Sequence, residues 1–118
     1  DYSIFSFSAS WCAPCQKEIK VLDSLSLKYP DIGFFIINYK ENKKTVEKWS
    51  KKLKTNIPIL MDYYGVVAKK FKIIKSDQDD MKSITLPYLF IINRVGEIVY
   101  QNNGYNKDLR NNIESIIK

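Results

Sequence analysis

Residues 11–15 read Trp-Cys-Ala-Pro-Cys and hold both cysteines of this chain, two residues apart. They follow the segment Ile-Phe-Ser-Phe-Ser at residues 4–8, whose alternating apolar and polar side chains predict a strand. After them, apolar side chains recur at steps of three and four residues as far as Tyr29, which predicts a helix that Pro30 ends. Pro14 would lie in the first turn of this helix, where its missing N–H costs nothing. The sequence therefore predicts a cysteine pair at a strand-to-helix junction.

The rest of the chain predicts further strands and helices. Residues 32–38 form a nearly continuous apolar run, which is typical of a strand covered on both faces. Periodicity and turn residues then indicate, in order, an amphipathic helix around Val46, Trp49 and Leu53, an extended segment at 57–60, a short helix at 66–71, a polar loop at 75–83, a hairpin with strands at 88–92 and 98–101, and a helix at 106–117.

The predicted strands and helices follow the order β-α-β-α-(α)-β-β-α, which indicates the fold class. The extended segment at 57–60 is not counted as a strand in this order. A right-handed crossover makes the first two strands parallel, and the hairpin adds two antiparallel strands. We therefore expect an α/β sandwich of three layers, with a mixed central sheet and helices on both faces. Residues 1–118 are predicted to form one domain, since no internal repeat or linker divides them.

Composition restricts the function. The chain has 45% hydrophobic and 27% charged residues, as in an ordinary soluble domain, and no window approaches the roughly 18 apolar residues of a membrane span. It has no histidine, which removes histidine-activated nucleophiles and His-ligated metal sites. Chemistry near neutral pH is therefore expected to depend on the two cysteines.

The net charge of +6 comes mainly from lysines, several of which cluster within residues 43–54. This cluster indicates either a patch that binds a polyanion or a membrane surface, or the solvated face of an amphipathic helix. The solvated face is the favoured interpretation, because no nucleic-acid-binding motif accompanies the lysines. We therefore expect no nucleic acid partner.

Cys12 and Cys15, at this spacing, could form a structural disulfide, bind zinc or carry out reversible disulfide chemistry. A disulfide that closes a four-residue loop stabilises a fold by only about 2 kcal/mol, against about 4.7 kcal/mol for a loop of a hundred residues. A structural zinc site needs four ligands, usually Cys or His, and this chain offers two cysteines and no histidine. Reversible disulfide chemistry fits the spacing better than either alternative.

The predicted position of Cys12 at the N-cap of the first helix favours its thiolate. Free N–H groups and the positive end of the helix dipole face the sulfur there and lower its pKa. A pKa lowered to about 6.5 raises the rate of attack at pH 7 only about threefold, because intrinsic nucleophilicity falls as the thiolate fraction rises. The larger gain is in the Cys12 thiolate as a leaving group, in exchange steps that attack the sulfur bonded to Cys12.

Three segments of the chain resemble one protein family. Residues 11–15 match the pattern W-C-x-P-C throughout, residues 85–93 place Leu86-Pro87 directly before a strand and hairpin, and residues 58–62 are similar to the segment before an inserted helix. Through these motifs essentially the whole chain resembles the thioredoxin superfamily, and within it the TlpA/ResA-like thiol-disulfide oxidoreductases. The resemblance implies a thioredoxin-like fold.

The resemblance also implies roles for individual residues. Cys12 would be the attacking thiol, Cys15 the buried resolving thiol, and Pro87 a cis-proline that faces them, with a trans proline at the start of a strand as the alternative. The backbone of Leu86 would pair with an extended segment of the partner.

Two aromatic residues would border this site on the same resemblance. Trp11 and Tyr88 would shape an apolar rim for the partner. The alternative is that both are ordinary half-buried aromatic side chains.

Two departures from the family pattern affect these expectations. Thioredoxin carries a buried Asp six residues before its first cysteine, where this chain has Ser6. Glu18, at a position where this branch commonly has Glu, would replace part of that role by receiving the proton of Cys15; the alternative is an exposed helix residue near a favourable dipole. Relatives also have additional N-terminal strand structure, so residues 32–38 are expected to leave an exposed apolar sheet edge and residue 1 to mark a domain boundary.

The predicted function is a thiol-disulfide oxidoreductase that acts as a reductant of protein disulfides through Cys12 and Cys15. The resemblance implies an extracytoplasmic location, periplasmic or membrane-tethered, with an upstream thiol donor, no cofactor or metal, and a monomeric protein. One alternative is a redox-inert or redox-sensing binding module. Another is a peroxiredoxin-type peroxidase, which needs an activating arginine, whereas Arg94 and Arg110 lie far along the chain from Cys12.

Overall fold

The structure is a computed structural model that describes residues 1–71 and 85–118. The loop predicted at 75–83 lies outside these residues. The described chain forms strands and helices in the order β1 (Ser3–Ser8), α1 (Ala13–Lys28), β2 (Gly33–Tyr39), α2 (Lys43–Leu53), β3 (Ile59–Asp62), α3 (Val66–Lys70), β4 (Tyr88–Ile92), β5 (Ile98–Asn103) and α4 (Leu109–Ile117).

The strands form one mixed sheet in the order β3-β2-β1-β4-β5. Strands β1, β2 and β3 are parallel to their neighbours, whereas β4 is antiparallel to β1 and β5 is antiparallel to β4. The expected mixed sheet is therefore confirmed, and so is the closing hairpin, whose turn places Gly96 at a φ of +90°. Residues other than glycine rarely adopt this backbone conformation.

Strand β3 corrects the expectation of an exposed edge on the second strand. Residues 36–39 of β2 pair with Ile59–Asp62, so β3 covers the second half of the edge that the sequence left open. The extended segment predicted at 57–60 is therefore a fifth strand of the sheet. Its pairing was missed because an extended apolar run does not itself indicate which strand it joins.

Alternating side chains on β1 divide the core into two clusters. Ile4 packs in a cluster with residues of α1, α2 and α4, while Phe7 belongs to a second cluster that contains Ala68 of α3. The ring of Phe71, directly after α3, contacts Phe7 edge to face with centroids 5.4 Å apart. Three helices thus lie on one face of the sheet and α3 lies on the other, which confirms the three-layer arrangement. In the described residues, no helix is both long and apolar enough to cross a membrane.

Helix α1 shows the predicted amphipathic pattern along its length. Its buried apolar side chains, Ile19, Leu22 and Leu25, recur at three-residue steps and face the sheet. Tyr29 caps the helix, with its N–H donated to the carbonyl of Leu25 at 2.9 Å. The packing of α1 on β1 is what brings the cysteine pair to the end of the sheet.

Leucines on opposite sides of α1 provide a matched test of this packing. Leu22 is 1% exposed and Leu27 is 70% exposed. Truncation of Leu22 to alanine should lower the free energy of unfolding by about 3 kcal/mol, because it removes buried methyl groups and leaves a cavity. Leu27→Ala should change it by less than about 0.5 kcal/mol. Urea unfolding of both oxidised variants measures the difference, and equal effects would contradict the described orientation of α1.

Candidate active site

Cys12 and Cys15 lie at the junction between the carboxyl end of β1 and the amino end of α1, and they form a disulfide with a Cα–Cα distance of 5.3 Å. Cys12 is the N-cap of α1, and its Sγ accepts a hydrogen bond from the N–H of Cys15 at 3.2 Å. Pro14 falls in the first turn, as predicted. Cys12 is 4% exposed and Cys15 is fully buried, so Cys12 is the more accessible residue of the pair.

The segment before β4 lies against this disulfide. The peptide bond between Leu86 and Pro87 is cis, as the family resemblance implied. Leu86 is buried in the same apolar cluster as both cysteines, together with Phe90 of β4. The structure thus brings together the cysteine pair and the proline segment, which are separated by about seventy residues in the sequence.

The two aromatic residues predicted at the rim differ in burial. The side chain of Trp11 is 47% exposed, next to the nearly buried Cys12. Tyr88 is half-buried and its ring stacks on that of Phe90, with centroids 4.9 Å apart. Trp11 therefore presents a free apolar surface beside the disulfide, whereas Tyr88 is partly engaged in the core.

Glu18 is fully buried, so the alternative of an exposed helix residue is wrong. It lies one turn after Cys15 on the side of α1 that faces β1, where the hydroxyl of Ser6 donates a hydrogen bond to its Oε1. Its Oε2 has no hydrogen-bond partner among the described residues. Burial raises the pKa of Glu18 to about 7, against the smaller opposing effect of the hydrogen bond from Ser6.

Ser6, which departs from the thioredoxin pattern, is the partner of this carboxyl group. The acidic group beneath the disulfide therefore comes from the helix in this chain, and the strand supplies a hydroxyl that binds it. A second buried hydroxyl, that of Ser8, lies 3.4 Å from the hydroxyl of Ser6. The side chains of Ser8, Ser6 and Glu18 thus form a short polar row in the otherwise apolar interface between β1 and α1.

Sequence reasoning missed Glu41, which holds the turn before the cysteines. Its carboxylate accepts hydrogen bonds from the backbone N–H and the hydroxyl of Ser10 at 2.7 and 2.5 Å, and from the side-chain amide of Asn38 at 2.8 Å. A signal was present, because Ser10 and Glu41 follow two parallel strands whose carboxyl ends meet at one edge of the sheet.

A second link joins the site to α2. The amide of Gln16 donates to the carbonyl of Cys12 at 3.3 Å and accepts from the indole N–H of Trp49 at 3.3 Å. Trp49 was predicted only as an apolar residue of the second helix. The backbone around Cys12 is therefore held both by Glu41 and, through Gln16, by Trp49.

Neither metal chemistry nor peroxidase chemistry gains support from the described residues. They contain no group of three or more Cys, Asp or Glu side chains placed to hold a metal ion. Arg94 lies in the turn beyond β4, whose end pairs with Ser3 at the amino end of β1, and so at the opposite end of the strand from Cys12. This position does not suit an arginine that activates Cys12.

The role of Glu41 can be tested by comparing it with Glu47, a glutamate on the other side of Asn42 in the sequence. Replacement of Glu41 by glutamine keeps the size of the side chain but removes the charge that strengthens its three hydrogen bonds, and should lower the free energy of unfolding by about 1–2 kcal/mol. Glu47→Gln alters an exposed side chain and should change it by less than about 0.5 kcal/mol. Denaturant unfolding at neutral pH measures both, and an unchanged stability in Glu41→Gln would show that the contacts are not stabilising.

Comparison with known proteins agrees with this geometry. Sporulation thiol-disulfide oxidoreductase A of Bacillus subtilis is 31% identical to this chain over 101 residues, which are 81% of this chain and 55% of the relative. Thiol-disulfide oxidoreductase ResA of Bacillus thuringiensis is 27% identical over 101 residues, or 84% of this chain and 53% of the relative. The chain thus spans about half the length of these curated relatives.

A solved structure supports the fold as well. StoA from Bacillus subtilis superposes with a TM-score of 0.74 at 28% identity, over 94% of this chain and 81% of the other. The predicted resemblance to ResA-like proteins and to the thioredoxin-like fold is therefore confirmed. Residues 1–101 match the AhpC/TSA family, and since they make up most of the chain, this protein belongs to that family.

Proposed function

We propose that this protein is a thiol-disulfide oxidoreductase that reduces disulfides in protein partners. The observation that carries the proposal is the asymmetry of the cysteine pair: the Cys12 sulfur caps α1 and its residue is 4% exposed, while Cys15, bonded to it, is fully buried. A sulfur at a helix N-terminus is stabilised as a thiolate and is a good leaving group. The names of the relatives support the same activity.

The reaction proceeds in two exchange steps. The thiolate of reduced Cys12 attacks one sulfur of the partner disulfide, forms a mixed disulfide and releases the first partner thiolate. The thiolate of Cys15 then attacks Cys12 Sγ, which releases the second partner thiolate and forms the Cys12–Cys15 disulfide. The partner gains two electrons and the cysteine pair loses them. An upstream dithiol donor then returns two electrons to Cys12 and Cys15.

Glu18 is proposed to accept the proton that Cys15 must lose before it attacks. Its carboxyl group lies one helical turn after Cys15 and is shielded from solvent, as Cys15 itself is. With a pKa of about 7, it can hold or release a proton near neutral pH. Ser6 keeps the carboxyl group oriented by its hydrogen bond to Oε1.

The partner is proposed to lie across the disulfide in an extended conformation. The backbone of Leu86 would pair with the segment that carries the partner disulfide, next to Pro87. Trp11 and Tyr88 would contact its apolar side chains. In support, Leu86 shares an apolar cluster with both cysteines, and Trp11 presents about half of its surface to solvent beside Cys12.

The protein is proposed to work as a monomer outside the cytoplasm, without a cofactor or metal. The resemblance to the ResA-like branch supports the extracytoplasmic location. The redox-active pair needs no further group for thiol-disulfide exchange, since both electrons come from the two sulfurs.

Separate replacement of the two cysteines tests the proposed exchange. Cys12→Ser should abolish reduction of a disulfide-bonded protein substrate such as insulin, because no attacking thiolate remains. Cys15→Ser should still attack but should accumulate the mixed disulfide, which mass spectrometry of the intact adduct detects. Undiminished activity in Cys12→Ser, or a parent disulfide that dithiothreitol does not reduce, would overturn the proposal and favour the redox-inert binding module.

The pH dependence of stability tests the buried state of Glu18. Its pKa is about 7 in the folded protein and about 4.5 when unfolded, so folding favours the protonated carboxyl group. The resulting stability is fully present below about pH 4.5 and is lost as the pH rises through 7. The shift corresponds to about 3 kcal/mol. Glu18→Gln cannot ionise, so its free energy of unfolding relative to the oxidised parent should rise by that order between pH 4 and pH 8.

The exposed Glu47 provides the control for this measurement. In Glu47→Gln, the difference from the parent should stay nearly constant across the same pH range. If the difference between Glu18→Gln and the parent is equally flat, the carboxyl group of Glu18 titrates at its ordinary pKa and is not the shielded acceptor described above.

A further inference from the structure

A stripe of lysines runs along one side of α2. Lys44, Lys48 and Lys52 follow one another at four-residue steps, so they lie on one side of the helix, and all three are exposed. Lys48 and Lys52 line a cleft of about 270 Å³ together with Ser10 and Trp49. We call this space, which lies between α2 and the turn that precedes α1, the α1–α2 cleft.

The cleft adjoins the active site. Ser10 is in its wall and lies two residues before Cys12. Lys52 also borders a smaller cleft of about 130 Å³, whose lining includes Lys20 and Gln16, and Gln16 is hydrogen-bonded to the carbonyl of Cys12. A chain segment seated along the two clefts would therefore end next to the reactive sulfur.

The lysines that line the two clefts outnumber the carboxylates. Lys20, Lys48 and Lys52 are among the lining residues, whereas Asp23 is the one carboxylate among them, and its Oδ1 accepts hydrogen bonds from Thr55 and Asn56. In the part of the chain that the structure describes, Lys28 and Glu114 form an ion pair, whereas Lys48 and Lys52 take part in none.

The stability of α2 accounts for only part of this arrangement, since the helix dipole favours a cation in the last turn, where Lys52 lies, but not the earlier lysines. Like charges four residues apart on a helix repel each other, so the pairs Lys44–Lys48 and Lys48–Lys52 weaken the helix that carries them. A solvated face needs polar side chains, and uncharged or alternating ones would serve without this cost. The stripe is thus better explained by an anionic ligand than by folding.

We propose that the α1–α2 cleft binds an acidic segment of the partner protein, on the chain that carries the disulfide attacked by Cys12; this inference rests on the proposed oxidoreductase function. A concave cleft next to the reactive sulfur suits a polypeptide segment better than a flat lipid surface. Single-stranded nucleic acid is bound by stacking on exposed aromatic rings, and Trp49, the aromatic residue of the cleft, is 5% exposed. Acidic side chains approaching Lys48 and Lys52 would increase the rate of encounter and orient the segment.

Two peptides that share one disulfide test this proposal. One carries aspartates beside the disulfide and the other carries asparagines, and both are reduced by the fully reduced protein in single-turnover experiments. At low ionic strength the acidic peptide should react about tenfold faster than the neutral one, and this ratio should approach one in about 0.5 M salt. The ratio removes any change in thiol reactivity, since both peptides react with the same Cys12.

Charge reversal locates the effect. In the double variant Lys48→Glu, Lys52→Glu, the ratio should fall from about ten to one or below. The matched control is Lys107→Glu, Lys118→Glu, which changes the net charge equally at residues that flank α4, and it should keep the ratio of the parent. Circular dichroism serves as the control that both variants are folded.

The outcomes separate the inference from the function on which it rests. If the parent reduces neither peptide, the oxidoreductase function itself fails. If it reduces both equally, or if the control variant loses the preference as fully as the cleft variant, the acidic-segment proposal is overturned while the function stands. Binding to phosphatidylglycerol vesicles that needs Lys48 and Lys52, without a preference between the peptides, would also overturn it in favour of a membrane surface.

Discussion

The site depends on one hydrogen bond, in which the N–H of Cys15 is donated to the sulfur of Cys12 at the amino end of α1. The Cys12 sulfur thus both begins the helix and is the atom proposed to react, so the same free N–H groups that need a cap also stabilise a thiolate. This geometry requires a strand that ends just before Cys12 and a helix that begins just after it. The packing of α1 on β1, through Ile4, Ile19 and Leu22, keeps the two aligned.

The burial of Glu18 is the main cost of this arrangement. A pKa raised from 4.5 to about 7 means that ionisation of the carboxyl group costs about 3 kcal/mol more in the folded protein than in water. One buried leucine of α1 contributes about the same amount to stability, so the apolar cluster around α1 can offset the cost several times over. A buried carboxyl group can therefore be kept one helical turn after Cys15 without loss of the fold.

Local patterns in the sequence were sufficient for β1, α1 and the β4–β5 hairpin, because alternation, helical periodicity and turn residues are properties of short segments. The place of β3 was not predictable in this way, since pairing joins segments that are distant in the sequence. Glu18 is three residues after Cys15 and four before Leu22, a spacing that is compatible with burial, yet a glutamate is buried too rarely for spacing alone to predict it. The contacts of Glu41 were missed because they join two loops, in which no periodicity exists.

The surroundings of Cys12 differ on its two sides, and this difference bears on how a partner would be oriented. On the side of β4 the neighbours are apolar, with Leu86 and Phe90 in one cluster with the disulfide. On the side of α2, Lys48 and Lys52 line a cleft together with Ser10, which lies two residues before Cys12. The hydrogen bonds of Glu41 and Gln16 hold the turn between these sides to both β2 and α2. A partner with apolar residues on one side of its disulfide and acidic residues on the other would therefore meet complementary surfaces in only one direction.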